Sequence, residues 1–463
     1  MKGIILHGGH GSRLRPLTHT GPKQLLPIAN KPMSEYCVEA IRDCGISEIA
    51  IIIGGIGSNK VKEYYGDGSE FNVKITYIEQ DAPKGIAHAI NLCKEFVENE
   101  KFLVFLGDNI IQKSIKHISK KFETSDDNAL VLLCEVENPE RFGIADVKEN
   151  KIIRIMEKPK NPPTNLAVTG IYFLTPKIFD IFSRLKPSWR NELEITDALQ
   201  MMLEEGNKIN FEMITDYWKD TGTPDDIIHA NSEALKNMKP YFFGEKDDGS
   251  EFSGNVMVGN GSKISGHSKI LGSCIIGENC IIGPNVILGP NVSIGDNSKL
   301  SDCDIQNSIV MKNCFIDSKI KIRNSILASN SKITIDEEND EKAIELGYAH
   351  RYNREQMKWF RNYWKQKGQN VTEKGNSQAG LGRPCCGGRC FKADGVDTYF
   401  LPSTNFVGWN CMVNWYFLFI NSEADRVWTH QTCGVNLDGE VAPLGKISEF
   451  DKIIDSLEHE LYV

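Results

Sequence analysis

The stretch from about 250 to 335 limits the fold more than any other part of this 463-residue chain. Aliphatic residues recur at every sixth position: Val258, Ile264, Ile270, Ile276, Ile282, Leu288, Ile294 and Leu300. Glycine follows several of them directly, as at Gly277, Gly283, Gly289 and Gly295. A shifted register resumes with Val310, Ile316 and Ile322. This is the period of a parallel β-helix, in which each hexad supplies one short strand of a coil. The aliphatic side chain turns inward and small residues make the corners.

The first 240 residues follow a different pattern. Apolar runs at 4–6, 49–53, 74–78 and 102–106 read as buried strands. Residues 34–44 have helical spacing that Gly45 can stop, and 83–97 contains a helix. Strand alternating with helix predicts a doubly wound, Rossmann-like α/β sheet, mostly parallel. Ligands bind such sheets beyond the carboxyl ends of the strands. The candidate residues lie at or after predicted strand ends, which predicts one shared cleft.

Gly8, Gly9 and Gly11 follow the first strand. Glycine lets a backbone approach a ligand closely, and successive N–H groups in such a loop can face phosphate oxygens. Arg13 adds a planar fork of positive charge and Lys23 a mobile point charge. On the glycines alone, a phosphate loop and a plain turn stand about even. The string is neither a P-loop nor Gly-x-Gly-x-x-Gly. Gln80 follows the third strand; its amide can read a pyrimidine edge or simply face solvent. Asp108 follows the fourth, where a carboxylate can hold Mg²⁺ or cap a helix. Glu157 and Lys158 read by themselves as a surface ion pair.

Residues 8–18, Gly-Gly-His-Gly-Ser-Arg-Leu-Arg-Pro-Leu-Thr, and 22–33, Pro-Lys-Gln-Leu-Leu-Pro-Ile-Ala-Asn-Lys-Pro-Met, resemble the signature of the sugar-1-phosphate nucleotidylyltransferases. The likeness is greatest to the long-form glucose-1-phosphate thymidylyltransferases, and it runs in order to about residue 330. The resemblance implies that Gly8, Gly9, Gly11, Ser12, Gln80 and Gly85 bind the nucleotide, with Gln80 on the base and Gly85 leaving room beside it. It implies that Asp108 and Asp220 together hold Mg²⁺. Phe142-Gly143, Glu157-Lys158-Pro159 and the segment from Val168 to Tyr172 look like the family's sugar-phosphate wall, giving Gly143, Glu157, Lys158 and Val168 as binding residues. Residues 189–197 match a further family segment, in which Thr196 is expected to cap a helix and Glu194 to orient the site. The repeats are expected to be left-handed.

The chemistry this implies needs no general base, because a sugar-phosphate oxygen is already anionic when it attacks the α-phosphorus. In-line positioning and charge neutralisation carry the reaction. Arg13 would steady the leaving pyrophosphate and Lys23 the reacting phosphates. Two residues depart from the family pattern. Ser12 replaces Thr and keeps the hydroxyl. His7 stands where the family carries Ala or Ser, and is expected to put a titratable ring at the mouth of the loop, with consequences for base choice.

Composition bounds the rest. With 53 basic and 62 acidic residues the net charge is −9, which argues against a general nucleic-acid surface. No apolar run is long enough to span a bilayer, and no signal peptide is evident. A cytoplasmic protein free of membrane and nucleic acid is expected, binding a nucleoside triphosphate and a sugar 1-phosphate, as a homo-oligomer. Eight of the 13 cysteines are scattered, which suits free thiols in a reducing compartment.

The other five cysteines crowd the tail. Cys385, Cys386, Cys390, Cys411, His430 and Cys433 fall within about fifty residues, among many aromatics. Thiolates suit Zn²⁺ or an iron–sulfur cluster, though the spacing is not a standard zinc-finger pair. The run from Cys411 to Ile447 is weakly similar to the auxiliary-cluster (SPASM-type) domain of radical S-adenosylmethionine enzymes. Ala393 stands where the radical domain's third cysteine would be. Free thiols remain the other reading.

Four segments follow: a nucleotidyltransferase domain at 1–240, a left-handed β-helix at 250–335, an acidic and helical linker at 336–382, and a small Cys-rich α+β module at 383–463. Within the linker, 374–382 reads as Gly- and polar-rich connection and 355–367 as helix. The expected activity is Mg²⁺-dependent transfer from dTTP to glucose 1-phosphate. Three alternatives stand beside it: a UTP-dependent or other sugar-1-phosphate enzyme, a regulatory subunit that only binds sugar nucleotide, and a bifunctional enzyme whose repeats transfer acyl groups. The last needs a histidine between coils. His267 is the sole candidate in the repeats and reads better as a surface residue.

Overall fold

A computed structural model describes residues 1–8, 11–14, 17–18, 21–55, 57–336, 341–345, 371–379, 383–393 and 396–400, with side chains to residue 334 except that of Ser12. The chain divides into two compact units. The first holds Met1–Gly11, Thr18–Pro27 and Lys31–Gly222; the second holds Ser12–Leu17, Ile28–Asn30 and the chain from Thr223 onward.

The first unit is built on a nine-stranded sheet. Phe102–Leu106, Lys2–Leu6, Glu48–Ile53 and Lys74–Glu79 lie side by side in parallel, with Ile4 opposite both Ala50 and Val104. All five residues of Lys2–Leu6 are buried, as a central parallel strand covered on both faces requires. The helix Met33–Asp43 packs Met33, Cys37, Val38 and Ile41 inward, one stripe at helical spacing. It lies so close that a Cβ on Gly3 would stand 2.7 Å from the Ile41 side chain.

The expected mostly parallel sheet becomes mixed at its other side. Leu166–Leu174 runs antiparallel to Phe102–Leu106 and to Ala129–Glu135, and Ile209–Met213 adds in parallel to the latter. Gly143–Lys148 and Lys151–Glu157 form an antiparallel hairpin. Its two turn residues, Glu149 and Asn150, both take positive φ (46° and 59°), the geometry that matches a tight hairpin to strand twist. The helix expected within 83–97 is two short ones, Ile86–Asn91 and Lys94–Val97.

In the second unit, strands pair in parallel with those eighteen residues further on. Val258 lies opposite Ile276 and Ile276 opposite Ile294; Ile264 opposite Ile282; Ile270 opposite Leu288. These inward side chains are at most 1% exposed. The step is eighteen residues, three hexads, until Leu288 meets Ile305 at seventeen; Ile294 then meets Val310, and Leu300 meets Ile316, at sixteen. There the coil is two residues shorter, which accounts for the shifted hexad register. Asn279, Asn285, Asn291 and Asn297 each stand three residues after an inward aliphatic, at φ of 54–60°. Asparagine is one of the few side chains that enters the left-handed region readily. His267 takes the same corner position, at φ 59°, and is exposed.

The helix Pro224–Asn237 belongs to this unit and opens on a capping box between Thr223 and Asp226. Its Asn231, fully buried, accepts from Ala29 N at 2.8 Å and Ser293 Oγ at 2.6 Å. Farther on, Lys332–Asp336 pairs with Glu341–Glu345, and Val371–Ala379, Arg383–Ala393 and Val396–Phe400 make a three-stranded antiparallel sheet. Residues 374–379, expected as linker, are therefore strand. Strands pair through main-chain groups that polar sequence also carries. The helix expected at 355–367 and the strands expected at 415–420 and 426–429 lie outside the described residues.

Candidate active site

The loops at the carboxyl ends of the parallel strands carry the site of the first unit. Gly8 follows Lys2–Leu6, and a Cβ there would stand 3.3 Å from Gln80 Oε1, so glycine loop and amide are neighbours. Gln80 Nε2 donates to His88 Nδ1 at 3.0 Å. Burial, then the charge of Lys84, lowers the His88 pKa, which suits a neutral ring accepting at Nδ1. The amide's oxygen is thereby fixed toward Gly8. Gly9 lies outside the described residues. Gly11 takes φ 56°, and its carbonyl accepts from Thr18 Oγ1 at 2.8 Å. Ser12 and Arg13 form a short turn, Ser12–Leu14, with Arg13 exposed; this turn groups with the second unit.

Gly85 corrects an expectation. The space where its Cβ would be, at φ 106°, is filled by the backbone of Leu193, whose N and O would both lie 2.5 Å away. Leu193 N donates to Lys84 O at 2.8 Å, and Ala87 N donates to Leu193 O at 3.0 Å. The glycine makes room for the chain itself and fastens the segment from Ser188 to Glu194 beside the Gln80 loop.

That segment leads to the residues expected to form a sugar-phosphate wall. Gly143, Glu157, Val168 and Thr196 converge: a Cβ on Gly143 would meet Thr196 Cγ2 at 2.5 Å, Glu157 Oε2 at 3.4 Å and Val168 Cβ at 3.8 Å. Thr196 does not cap its helix. The helix starts at Ile195 without a side-chain cap, and Thr196 Oγ1 donates to Glu157 Oε2 at 2.9 Å. Glu157 Oε1 lies 3.3 Å from Arg190 Nη1 and 3.7 Å from Lys158 Nζ. Burial, then the charge of Glu194, raises the Glu157 carboxyl above its usual range, while Thr196, Lys158 and Arg190 pull it back. Glu194 is 2% exposed and takes hydrogen bonds from Ser188 Oγ at 2.9 Å and Arg190 Nη1 at 3.4 Å. Arg190 thus links both carboxylates, a role its sequence position did not signal.

Asp108 sits between the strands Phe102–Leu106 and Asn109–Ile111. The latter pairs antiparallel with Trp218–Asp220 and sets Asp220 opposite Asn109. Thr221 donates its N–H at 3.0 Å and its hydroxyl at 2.7 Å to the Asp108 carbonyl. Two carboxylates distant in sequence therefore stand on adjoining strand ends. Asp108 makes an ion pair with Lys23 and accepts from Asn109 Nδ2 at 3.2 Å. Burial would raise its pKa, but the Lys23 ammonium and these hydrogen bonds outweigh burial and hold it below the usual carboxylate range. Hard oxygen donors, few in number, fit Mg²⁺, which keeps waters and phosphate oxygens as its other ligands. Among the described residues no cluster of three or more His, Cys, Asp or Glu stands ready for a metal.

His7 also differs from expectation. It points inward at 2% exposure, edge-on to Tyr65, and neither ring nitrogen has a hydrogen-bond partner among the described residues. Burial lowers its pKa to about 3, with Asp108 opposing, so the ring is neutral and not a titrating group at the loop mouth. In the tail, Cys385, Cys386 and Cys390 lie on Arg383–Ala393, their side chains outside the described residues. Cys411, His430 and Cys433 are outside them altogether.

Residues 2–237 match the family described as Nucleotidyl transferase, and residues 264–344 match the GMPPB C-terminal domain. The low-salt glycan biosynthesis nucleotidyltransferase Agl11 of Haloferax volcanii is 45% identical over 334 residues, 72% of this chain and 94% of that protein. A glucose-1-phosphate thymidylyltransferase of Streptomyces griseus is 37% identical over 57% of this chain and 74% of its own length. A protein named bifunctional GlmU from Methanococcus maripaludis is 39% identical over 72% and 74%. The chain belongs to the sugar-1-phosphate nucleotidyltransferase family.

Proposed function

We propose that the chain joins dTTP to glucose 1-phosphate, giving dTDP-glucose and pyrophosphate. The observation that carries this reading is the Glu157 carboxylate. It stands beside a wall that has no Cβ at Gly143, oriented by Thr196 and Arg190, and can accept from sugar hydroxyls. The similarity to a Streptomyces griseus protein named for thymidylyl transfer supports the choice of base and sugar.

An oxygen of the sugar phosphate attacks the α-phosphorus; the new O–P bond forms as the bond to the β-phosphate oxygen breaks, and pyrophosphate takes the electron pair. Gln80 and Gly8 hold the base, Lys158 the sugar's phosphate and Lys23 the triphosphate. Positioning of two bound reactants supplies much of the rate. Asp108 and Asp220 would hold Mg²⁺, which when bound neutralises phosphate charge. Arg13 keeps its assignment to the pyrophosphate on resemblance alone. The segments bounded at 240, 250, 335 and 382, a left-handed β-helix in the second of them, and a metal or cluster in the tail belong to the same proposal. Iron and zinc analysis of anaerobically purified protein tests the last, and absence of both would refute it.

Pyrophosphate release across a grid of nucleoside triphosphates and sugar 1-phosphates is the test. Turnover with dTTP and glucose 1-phosphate, lost in Asp108→Asn, supports the reading. Preference for UTP or another sugar moves the specificity and keeps the chemistry. No turnover with any pair overturns it.

A further inference from the structure

The Gln80 amide has two ends, and His88 occupies one of them. Gln80 Nε2 donates to His88 Nδ1 at 3.0 Å. Oε1 lies 3.3 Å from the point where a Gly8 Cβ would stand, and apart from the residues adjoining Gly8 no other atom of the described residues comes within 4 Å of that point. Among the described residues no donor bonds Oε1. The amide therefore turns an unpaired acceptor toward the open side of the glycine loop.

Both side chains stand on anchored backbone. Gln80 N donates to Ile53 O at 2.8 Å. The helix Ile86–Asn91, which carries His88, is tied by Ala87 N to Leu193 O at 3.0 Å. The last torsion of glutamine can still turn, and half a turn exchanges its oxygen for its nitrogen. His88 opposes that exchange. Burial, then the charge of Lys84, favours the neutral ring, while Asp81, which pairs with Lys84 at 3.2 Å, works against them. With Nδ1 as acceptor, a turned amide would set oxygen against a nitrogen lone pair and lose the bond.

An outward acceptor suits a donor on the ligand. Thymine and uracil carry N3–H between two carbonyls. Cytosine has a bare N3 beside its amino group and would meet Oε1 lone pair to lone pair. We propose that His88 is a positioning residue that holds the Gln80 amide with its oxygen outward, so that the site takes a pyrimidine with hydrogen on N3 and rejects cytosine. The inference rests on the nucleotidyltransferase reading above and adds what sets the polarity of the base contact. His88 acts through Gln80 and does not touch the base.

The test is kcat/KM for pyrophosphate release from dTTP, dCTP, dATP and dGTP, with the sugar 1-phosphate that wild type turns over best. Wild type is measured beside His88→Leu, His88→Met and His88→Asp, with folding checked by circular dichroism. Leucine and methionine leave the amide free to turn. Aspartate carries an acceptor oxygen two bonds beyond Cβ, as far out as Nδ1. Wild type is expected to prefer dTTP to dCTP. In both apolar variants the dTTP/dCTP ratio should fall at least about tenfold, the worth of one mismatched hydrogen bond. Part of that fall should be a gain for dCTP, with dATP and dGTP as poor as in wild type. His88→Asp should restore the ratio. A ring that only packs would lower all nucleotides alike, and an unmoved ratio in the apolar variants overturns the proposal. So does a ratio that falls as far in His88→Asp as in His88→Leu. A wild type that prefers dCTP or a purine also overturns it, an outcome that needs no variant. In each of these cases wild type still turns over substrate, and only this inference falls. If folded wild type releases no pyrophosphate with any pair, the nucleotidyltransferase reading falls with it.

Discussion

Asn109 and Trp218 meet through one hydrogen bond, the indole Nε1 donating to the amide Oδ1 at 2.7 Å. The same amide donates from Nδ2 to Asp108 Oδ1 at 3.2 Å and accepts from Gly170 N at 3.4 Å. A single buried side chain thereby ties together the strand end that carries Asp108, the strand that carries Asp220, and the sheet behind them.

Asn109→Leu removes all three bonds while keeping the branched heavy-atom outline. The indole N–H and one carboxylate oxygen lose their partner, which costs about 2 kcal/mol. The first urea-unfolding transition should fall by that amount and turnover should drop with it. Unchanged stability would mean that the amide is not the tie described.

His7 predicts a pH effect on stability. Its folded pKa is lowered to about 3 from 6.5. The unfolded chain therefore binds a proton that the folded chain refuses. The contribution is complete above 6.5 and is lost as pH falls toward 3. Between about pH 7.5 and about pH 5, wild type should lose about 2 kcal/mol more than His7→Phe. Phenylalanine also removes two buried nitrogens that have no partner among the described residues, so the variant should be the more stable at both pH values. Parallel urea curves with no pH-dependent gap would show that the ring is solvated.

Glu157 and Arg190 predict a kinetic effect. The folded Glu157 pKa is raised above 4.5, chiefly by burial, and Arg190 opposes the rise. Arg190→Met should lift it further and move the acid limb of kcat/KM for the sugar phosphate to higher pH. Glu157→Gln should erase that limb and cut kcat/KM at least about tenfold, the worth of a lost charged hydrogen bond. A profile identical to wild type in Arg190→Met would remove Arg190 from the positioning of Glu157. The raised pKa also carries a stability sign: the Glu157 anion costs stability at neutral pH, and the cost disappears as pH falls through the folded pKa toward 4.5.

Gly85→Ala should damage both halves of the site at once. The new methyl would stand 2.5 Å from Leu193 N and O, at φ 106°. Strain at such a position costs about 1–3 kcal/mol. The displaced backbone carries the segment that ends at Arg190 and Glu194, so KM should rise for sugar phosphate as well as for nucleotide. A rise for nucleotide alone would show that the segment is not anchored there.

Much of this was legible in the sequence. Hexad spacing marks the buried side chains, because short parallel strands paired eighteen residues apart repeat one buried position. The asparagines three residues later mark left-handed corners for a reason local to one residue. Apolar runs at 4–6, 74–78 and 102–106 located the loops that carry Gly8, Gln80 and Asp108, since a buried parallel strand has to be apolar along its whole length. Thr196 and His7 were misjudged because a hydroxyl near a helix start and a ring near a glycine loop each have two possible directions, and only packing chooses.

Local sequence sets the periodic elements, the order of strand and helix, and the residue types at the strand ends, because those depend on neighbours a few positions away. Tertiary structure alone decided the pairings between distant residues: Lys23 with Asp108, Asn109 with Trp218, Arg190 with Glu157, and Leu193 against Gly85. Each pairing depends on which strands lie side by side and how deep a side chain is buried. Those are properties of the assembled sheet and its cover, and no short window of sequence contains them.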